Sequence, residues 1–118
     1  MNREIAEHFV DLVTRTLPKH ADIVRADQDG DLRLVIDWRL GTDPRRTNKR
    51  SKSIELRISE EAISDYVNSD EQRRRSADAN LTKHLKGKLA SFDAEHKAPP
   101  EVVPPRERWI VSSGIINT

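Results

Sequence analysis

No cysteine occurs in the chain, which excludes disulfides, thiolate zinc sites and thiol catalysis. Glycine is scarce: four among 118 residues leave few places where backbone could closely approach a substrate. No phosphate-cradling glycine loop and no Gly-x-Ser-x-Gly elbow is present. A charge of one sign is lacking too. Lys and Arg number 21 against 20 Asp and Glu, a formal charge of +1, so any electrostatic partnership must rest on local clusters. Apolar runs such as Leu34-Val35-Ile36 are far too short to span a bilayer. The first residues, Met1-Asn2-Arg3-Glu4-Ile5-Ala6-Glu7, are amphipathic and partly acidic rather than an apolar signal core. These absences predict a soluble, cytoplasmic protein with no membrane partner.

What is present is a modest core. Ile, Leu, Val and Phe account for 28 of the 118 residues, above the level at which a charged chain stays disordered, and the length predicts a single domain over 1–118. The most legible stretch is 32–40, where Leu32, Leu34, Ile36, Trp38 and Leu40 alternate with Arg33, Val35, Asp37 and Arg39. That period of two predicts a strand with one wet face. Before it, Ile5, Phe9, Leu12, Val13 and Thr16 share one face of a helix capped by Asn2 and ended by Pro18. A short strand at about 21–27 leads into Asp29-Gly30, a hairpin signal.

Residues 41–52 read as a basic hairpin loop, after which Ile54, Leu56 and Ile58 predict a third, antiparallel strand. Charge suggests a register with Trp38 facing Leu56, Arg39 facing Glu55 and Asp37 facing Arg57. Ser59 caps a short helix carrying Ala62, Ile63, Tyr66 and Val67. Ser69-Asp70-Glu71-Gln72 has the form of a capping box, opening a second helix that runs to about His96 with a core stripe of Ala77, Leu81, Leu85, Leu89 and Phe92. Such a helix would be roughly 40 Å long, so it either projects or bends near Gly87. Residues 97–105 form a proline-rich connector, and 106–118 a last strand near Trp109 with an apolar tail at Ile115-Ile116. The predicted fold is α+β: a helix, a three-stranded antiparallel meander, two helices and a C-terminal strand, with the helices on one sheet face.

Chemistry is sparse in this pattern. Arg45, Arg46, Lys49, Arg50 and Lys52 form a basic arm suited to a phosphate backbone or an acidic partner. The same charges also suit a solvated hairpin tip. Arg73, Arg74 and Arg75 make a second cluster; the spacings Asp70–Arg74, Glu71–Arg75 and Arg74–Asp78 offer these arginines ion pairs along one helix. Asp27-Gln28-Asp29-Gly30-Asp31 is no calcium loop, because Gly30 stands fourth and Trp38 twelfth, where an EF-hand needs Gly sixth and Glu twelfth. His8, His20, His84 and His96 share no metal-ligand spacing. No metal, cofactor, small-molecule ligand or enzymatic activity is expected. The wet sheet face, with Arg33, Val35, Asp37, Arg39, Ser53, Glu55 and Arg57, carries no aromatic side chain on which bases could stack.

The helix, meander, helix order over about 2–96 is similar to that of double-stranded RNA-binding domains. Where that family has a Lys-rich start to its second helix this chain has Asp70-Glu71-Gln72, and a tight Asp-Gly turn replaces the family's first inter-strand loop. The order is also similar to that of small secretion chaperones, which work as dimers and tend to be acidic. Neither resemblance rests on a residue motif, so no family is assigned. The sequence therefore predicts a non-enzymatic binding module working through protein contacts, with a protein partner or a homodimer, motivated by the long last helix and the apolar tail. The alternative is a nucleic-acid binder using the basic arm.

Overall fold

The computed structural model describes residues 3–40, 50–94 and 106–117. Its elements run α1 (Arg3–Thr16), β1 (Asp22–Arg25), β2 (Leu32–Asp37), β3 (Ser53–Ile58), α2 (Glu60–Val67), α3 (Glu71–Ser91), β4 (Arg106–Val111) and α4 (Ser113–Ile116). The class is α+β, with four strands in the spatial order β1-β2-β3-β4. The alternation of β2 is realised in full: Leu32, Leu34 and Ile36 are buried, while Arg33, Val35 and Asp37 are half-exposed. Ile54, Leu56 and Ile58 of β3 and Trp109 and Val111 of β4 continue the same buried face. Against it pack Ile5, Ala6, Phe9 and Val13 of α1, Ala62, Ile63 and Tyr66 of α2, Ala77, Leu81 and Leu85 of α3, and Ile116 of α4, in one core. Phe92 stands edge-on between Trp38 and Trp109, with ring centroids 5.6 and 5.7 Å apart.

Several local readings hold. Asp29 and Gly30 both have positive φ, +55° and +84°, between the bridged residues Gln28 and Asp31, the two-residue turn whose twist matches a hairpin. Glu60 seats that turn against α2: its N–H donates to Asp31 Oδ1 at 2.8 Å, and its carboxylate lies where a Gly30 Cβ would fall. Ser59 caps α2, its hydroxyl accepting from the Ala62 N–H. The Asn2 cap lies outside the described residues.

Five expectations are corrected. The sheet is mixed, because β4 runs parallel to β3. Helix α3, at 21 residues and 1.5 Å per residue, carries the chain about 30 Å, and the Lys52 N–H bonded to the Ala94 carbonyl holds the segment after it beside the start of β3, where β4 also begins. The β2–β3 register is Val35 opposite Glu55 and Arg33 opposite Arg57. This register is shifted by four residues from the expected one and sets Leu32, Leu34 and Ile36 opposite Ile58, Leu56 and Ile54, while Glu55 pairs with both Arg33 and Arg57. Toward the loop the next bridge pairs Arg39 with Arg50, so two residues of one strand face three of the other in a bulge. Buried Ser51 fills this bulge, accepting from the Trp38 N–H at 3.0 Å and donating to the Lys52 carbonyl. Third, Asp70 rather than Ser69 caps α3, accepting from the Arg73 N–H, while the Ser69 hydroxyl turns back to the Asp65 carbonyl. The helix ends at Ser91, short of His96, and runs unbroken through Gly87. Finally, the apolar tail is a short helix with Ile116 in the core, its carbonyl accepting from Asn80 at 2.9 Å.

Gly87 interrupts α3 without a packing reason, since a Cβ there would meet nothing within 4 Å. A mid-helix glycine costs roughly 0.5–1 kcal/mol relative to alanine. Gly87→Ala is accordingly expected to raise the unfolding free energy by about that amount, read as a higher urea midpoint with an unchanged slope. A loss of stability would mean that α3 requires a backbone geometry there that alanine cannot adopt.

Candidate functional site

With the helices on one face, the other face of the sheet is bare among the described residues. The pairing fixes what it presents. Asp22 lies opposite Asp37, Val24 opposite Val35, Val35 opposite Glu55 and Glu55 opposite Arg108. Arg33 lies opposite Arg57, which lies opposite Ile110, and Ser53 lies opposite Arg106. Two of these cross-strand pairs join like charges, a destabilising arrangement unless a counter-ion intervenes. In both a counter-ion does.

At one corner Arg50 reaches the carboxylates of Asp22 and Asp37 together. Its hydrogen bonds to Asp37 and Asp22 hold the guanidinium above its ordinary pKa. At the centre the roles are reversed. The carboxylate of Glu55, only 3% exposed, sits among four guanidiniums: Arg33 Nε at 2.9 Å and Arg57 Nε at 3.1 Å from Oε1, Arg108 Nε at 3.6 Å and Arg106 Nη1 at 3.7 Å from Oε2. The Arg57 contact is a hydrogen bond; the Arg33 N–H is not aligned for one, so that contact is an ion pair. Gln28, brought over by the β1–β2 hairpin, accepts from Arg57 Nη2 at 3.2 Å and Arg33 Nη1 at 3.4 Å. Burial pushes the Glu55 carboxyl up, but the Arg57 hydrogen bond and the charges of Arg33, Arg108 and Arg57 outweigh it and hold the group below the usual carboxylate range.

Among the described residues Glu55 is thus covered by a single layer of arginine side chains. Each guanidinium carries five donors, and one carboxylate cannot satisfy four of them. The cluster keeps a surplus of three positive charges facing solvent, with Arg108 77% and Arg106 43% exposed at the sheet edge. Val24 and Ile110, 62% and 60% exposed, flank it on the two edge strands. No aromatic side chain lies among the described residues of this face.

The residues singled out from the sequence are distributed differently. Arg45, Arg46 and Lys49 lie outside the described residues. Arg50 is engaged at the acidic corner, and the Lys52 N–H donates to the Ala94 carbonyl at 3.0 Å. Arg75 pairs with Glu71 at 2.8 Å as its spacing suggests. Arg74 instead turns back over the Tyr66 ring and donates to the carbonyls of Tyr66 and Val67, satisfying the end of α2. Asp78 pairs with His8 on α1, 3.0 Å away, rather than with Arg74. Arg73 is exposed. Arg50 and the arginines of α3 stand on opposite sides of the sheet, so one phosphate track cannot use both. Sequence reading missed the four-arginine ring as a unit; its signal was Arg106-x-Arg108 alternating with Glu107-x-Trp109 in a strand that pairs with β3.

Elsewhere a groove of about 690 Å³ runs between α3, β4 and α4, lined by Lys83, His84, Lys88, Ser91 and Glu107 among others. Burial, and then the charge of Lys88, lower the His84 pKa. His84 and Ser91 are two turns apart on α3, about 10 Å along the axis, beyond the reach of a nucleophile–base pair. Among the described residues no group of three or more His, Asp or Glu could hold a metal ion, and no helix is long and apolar enough to cross a membrane. Set against protein-family models, curated proteins and solved structures, the chain matches none of them.

Proposed function

We propose that this protein is a non-enzymatic binding module that takes an acidic protein partner on the bare face of its sheet. The observation that carries the reading is the ring of Arg33, Arg57, Arg106 and Arg108 around Glu55. Arginine is the side chain of choice for carboxylate recognition, because its planar fork donates two parallel hydrogen bonds and is weakly hydrated. Glu55 supplies the preorganisation: it gathers four guanidiniums that would otherwise repel, so that an incoming carboxylate meets donors already in place. Exposed Val24 and Ile110 favour a protein over a nucleic acid, since they add apolar area and the face offers no stacking platform.

With α3 ending at Ser91 and Ile116 buried, the proposed binding surface is the sheet face rather than a helix end or an apolar tail. It is tested by fluorescence anisotropy with labelled poly-glutamate and with mixed-sequence DNA and RNA, each at low and moderate salt. Poly-glutamate is expected to bind in the micromolar range at low salt, and the double variant Arg106→Glu/Arg108→Glu to lower that affinity at least tenfold. Arg73→Glu/Arg75→Glu, on the other side of the molecule, is expected to leave it unchanged. If the α3 pair matters and the β4 pair does not, the reading falls. If nucleic acid binds and poly-glutamate does not, the partner is a phosphate backbone.

A further inference from the structure

Resting on that reading, we infer that the partner docks as an added strand: an extended segment with acidic residues at alternate positions pairs with the free edge of β4 and lays its carboxylates against Arg106 and Arg108. Among the described residues β4 is a terminal strand of the sheet, with β3 on one side and no strand on the other. The Ser59 N–H donates to the Val111 carbonyl across the parallel ladder, which turns the backbone groups of Val111, Trp109 and Glu107 toward β3. By strand alternation the N–H and C=O groups of Arg106, Arg108 and Ile110 point outward. The same three residues place their side chains on the bare face. Backbone donors and the arginine ring therefore meet along one edge.

Among the described residues the edge lacks three of the usual protections against a new strand: shortness, a bulge and a proline. β4 has six residues against the four of β1, its pairing with β3 is continuous from Arg106 to Val111 without a bulge, and it contains no proline. Its charge serves instead as the selector. A paired strand presents every second side chain to the same face, about 6.6–6.8 Å apart, which is the spacing of Arg106, Arg108 and Ile110 along β4. The complementary segment reads acidic, any, acidic, any, aliphatic, in either direction. Its main chain supplies ladder hydrogen bonds, its acids take the guanidinium donors that Glu55 leaves over, and its aliphatic residue covers Ile110. Peptides that add a strand to a sheet edge bind in this manner generally, with main-chain bonds giving affinity and alternate side chains giving specificity.

The probe is a fluorescent, capped heptapeptide of sequence Ile-Thr-Glu-Thr-Glu-Thr-Ile, which reads alike in both directions, titrated with the intact protein. Three relatives accompany it: one with the two glutamates adjacent, and two N-methylated at alternate residues in opposite phases. The parent is expected to bind, the adjacent-glutamate peptide at least tenfold more weakly, and one N-methylated phase but not the other to lose at least tenfold. Arg108→Glu is expected to abolish binding of the parent. Equal binding of both N-methylated peptides and the parent, still sensitive to Arg108→Glu, overturns strand addition and leaves the anion-binding face standing. Binding insensitive to Arg108→Glu removes the face as well. No binding of the parent at millimolar concentration, while poly-glutamate binds, overturns strand addition alone.

Discussion

Trp109→Ala is expected to lower the unfolding free energy by about 3–5 kcal/mol, a large share of the 5–15 kcal/mol typical of a domain. The indole is 1% exposed, and its removal empties the volume against which Phe92 stands at 88°. Phe92 in turn meets Trp38 at 68°, so the lost edge contact, worth about 0.5–1.5 kcal/mol beyond burial, loosens a row of three rings. The consequence for the site is direct. Trp109 is the inward anchor of β4 between Arg108 and Ile110, and with β4 unhooked the Arg106 and Arg108 guanidiniums lose their places over Glu55. Urea denaturation followed by the fluorescence of Trp38 measures the effect. Trp109→Phe is expected to recover most of it, forfeiting the indole N–H bond to Glu107 at 3.1 Å. A cost below about 1 kcal/mol for the alanine variant would mean that β4 is not part of the cooperative core, against the cost typical of a buried tryptophan.

Most of the elements were legible in the sequence because each rests on a local signal. The stripe Ile5, Phe9, Val13, the alternation of 32–37, the Asp-Gly turn and the Ser59 cap each answer to neighbours a few residues away, and each stands as its signal implies. The failures are non-local. Charge matching favoured Asp37 opposite Arg57, because a rule for directly opposed pairs sees two residues at a time. The chain instead opposes Arg33 to Arg57 and Asp22 to Asp37 and neutralises each pair with a third residue arriving from elsewhere, Glu55 in one case and Arg50 in the other. The bulge at Ser51 at the loop end of this ladder has no composition signature of its own.

The site was less legible than the fold for the same reason. Its four arginines come from three strands, and two of them reach the cluster through the pairing of β4 with β3, which nothing in 106–111 announces. The density of positive charge along the chain pointed to 45–52 and 73–75, where charges are adjacent in sequence. Adjacent charges on a helix or loop fan out, and Arg74 shows one structural use for such a charge, satisfying the carbonyl end of α2. Charges at alternate positions of neighbouring strands converge on one face, and that is where a surplus can act on a partner.

Glu55→Gln is expected to lower stability at pH 7 by about 1–3 kcal/mol, and the way that loss responds to pH, salt and ligand tests the site itself. Glutamine keeps the shape and one acceptor but removes the charge that four guanidiniums share. Because the folded-state pKa of Glu55 is lowered, its contribution is full above the unfolded-state value, about 4.3, and disappears as pH falls through the lower folded-state value. Wild type therefore loses stability on acidification that the Gln variant does not lose, and the two converge at low pH. Salt acts in the same sense at neutral pH: the repulsion left in the variant is screened as the Debye length falls from about 10 Å at 0.1 M to about 3 Å at 1 M, narrowing the gap. Poly-glutamate is expected to raise the melting temperature of wild type more than that of Glu55→Gln, since the arginines gathered by Glu55 bind carboxylates more tightly and ligand stabilisation follows affinity by mass action. Equal stability of the two proteins across pH and salt would show that strand pairing alone holds the arginines, and the preorganisation argument for the binding face would fail with it.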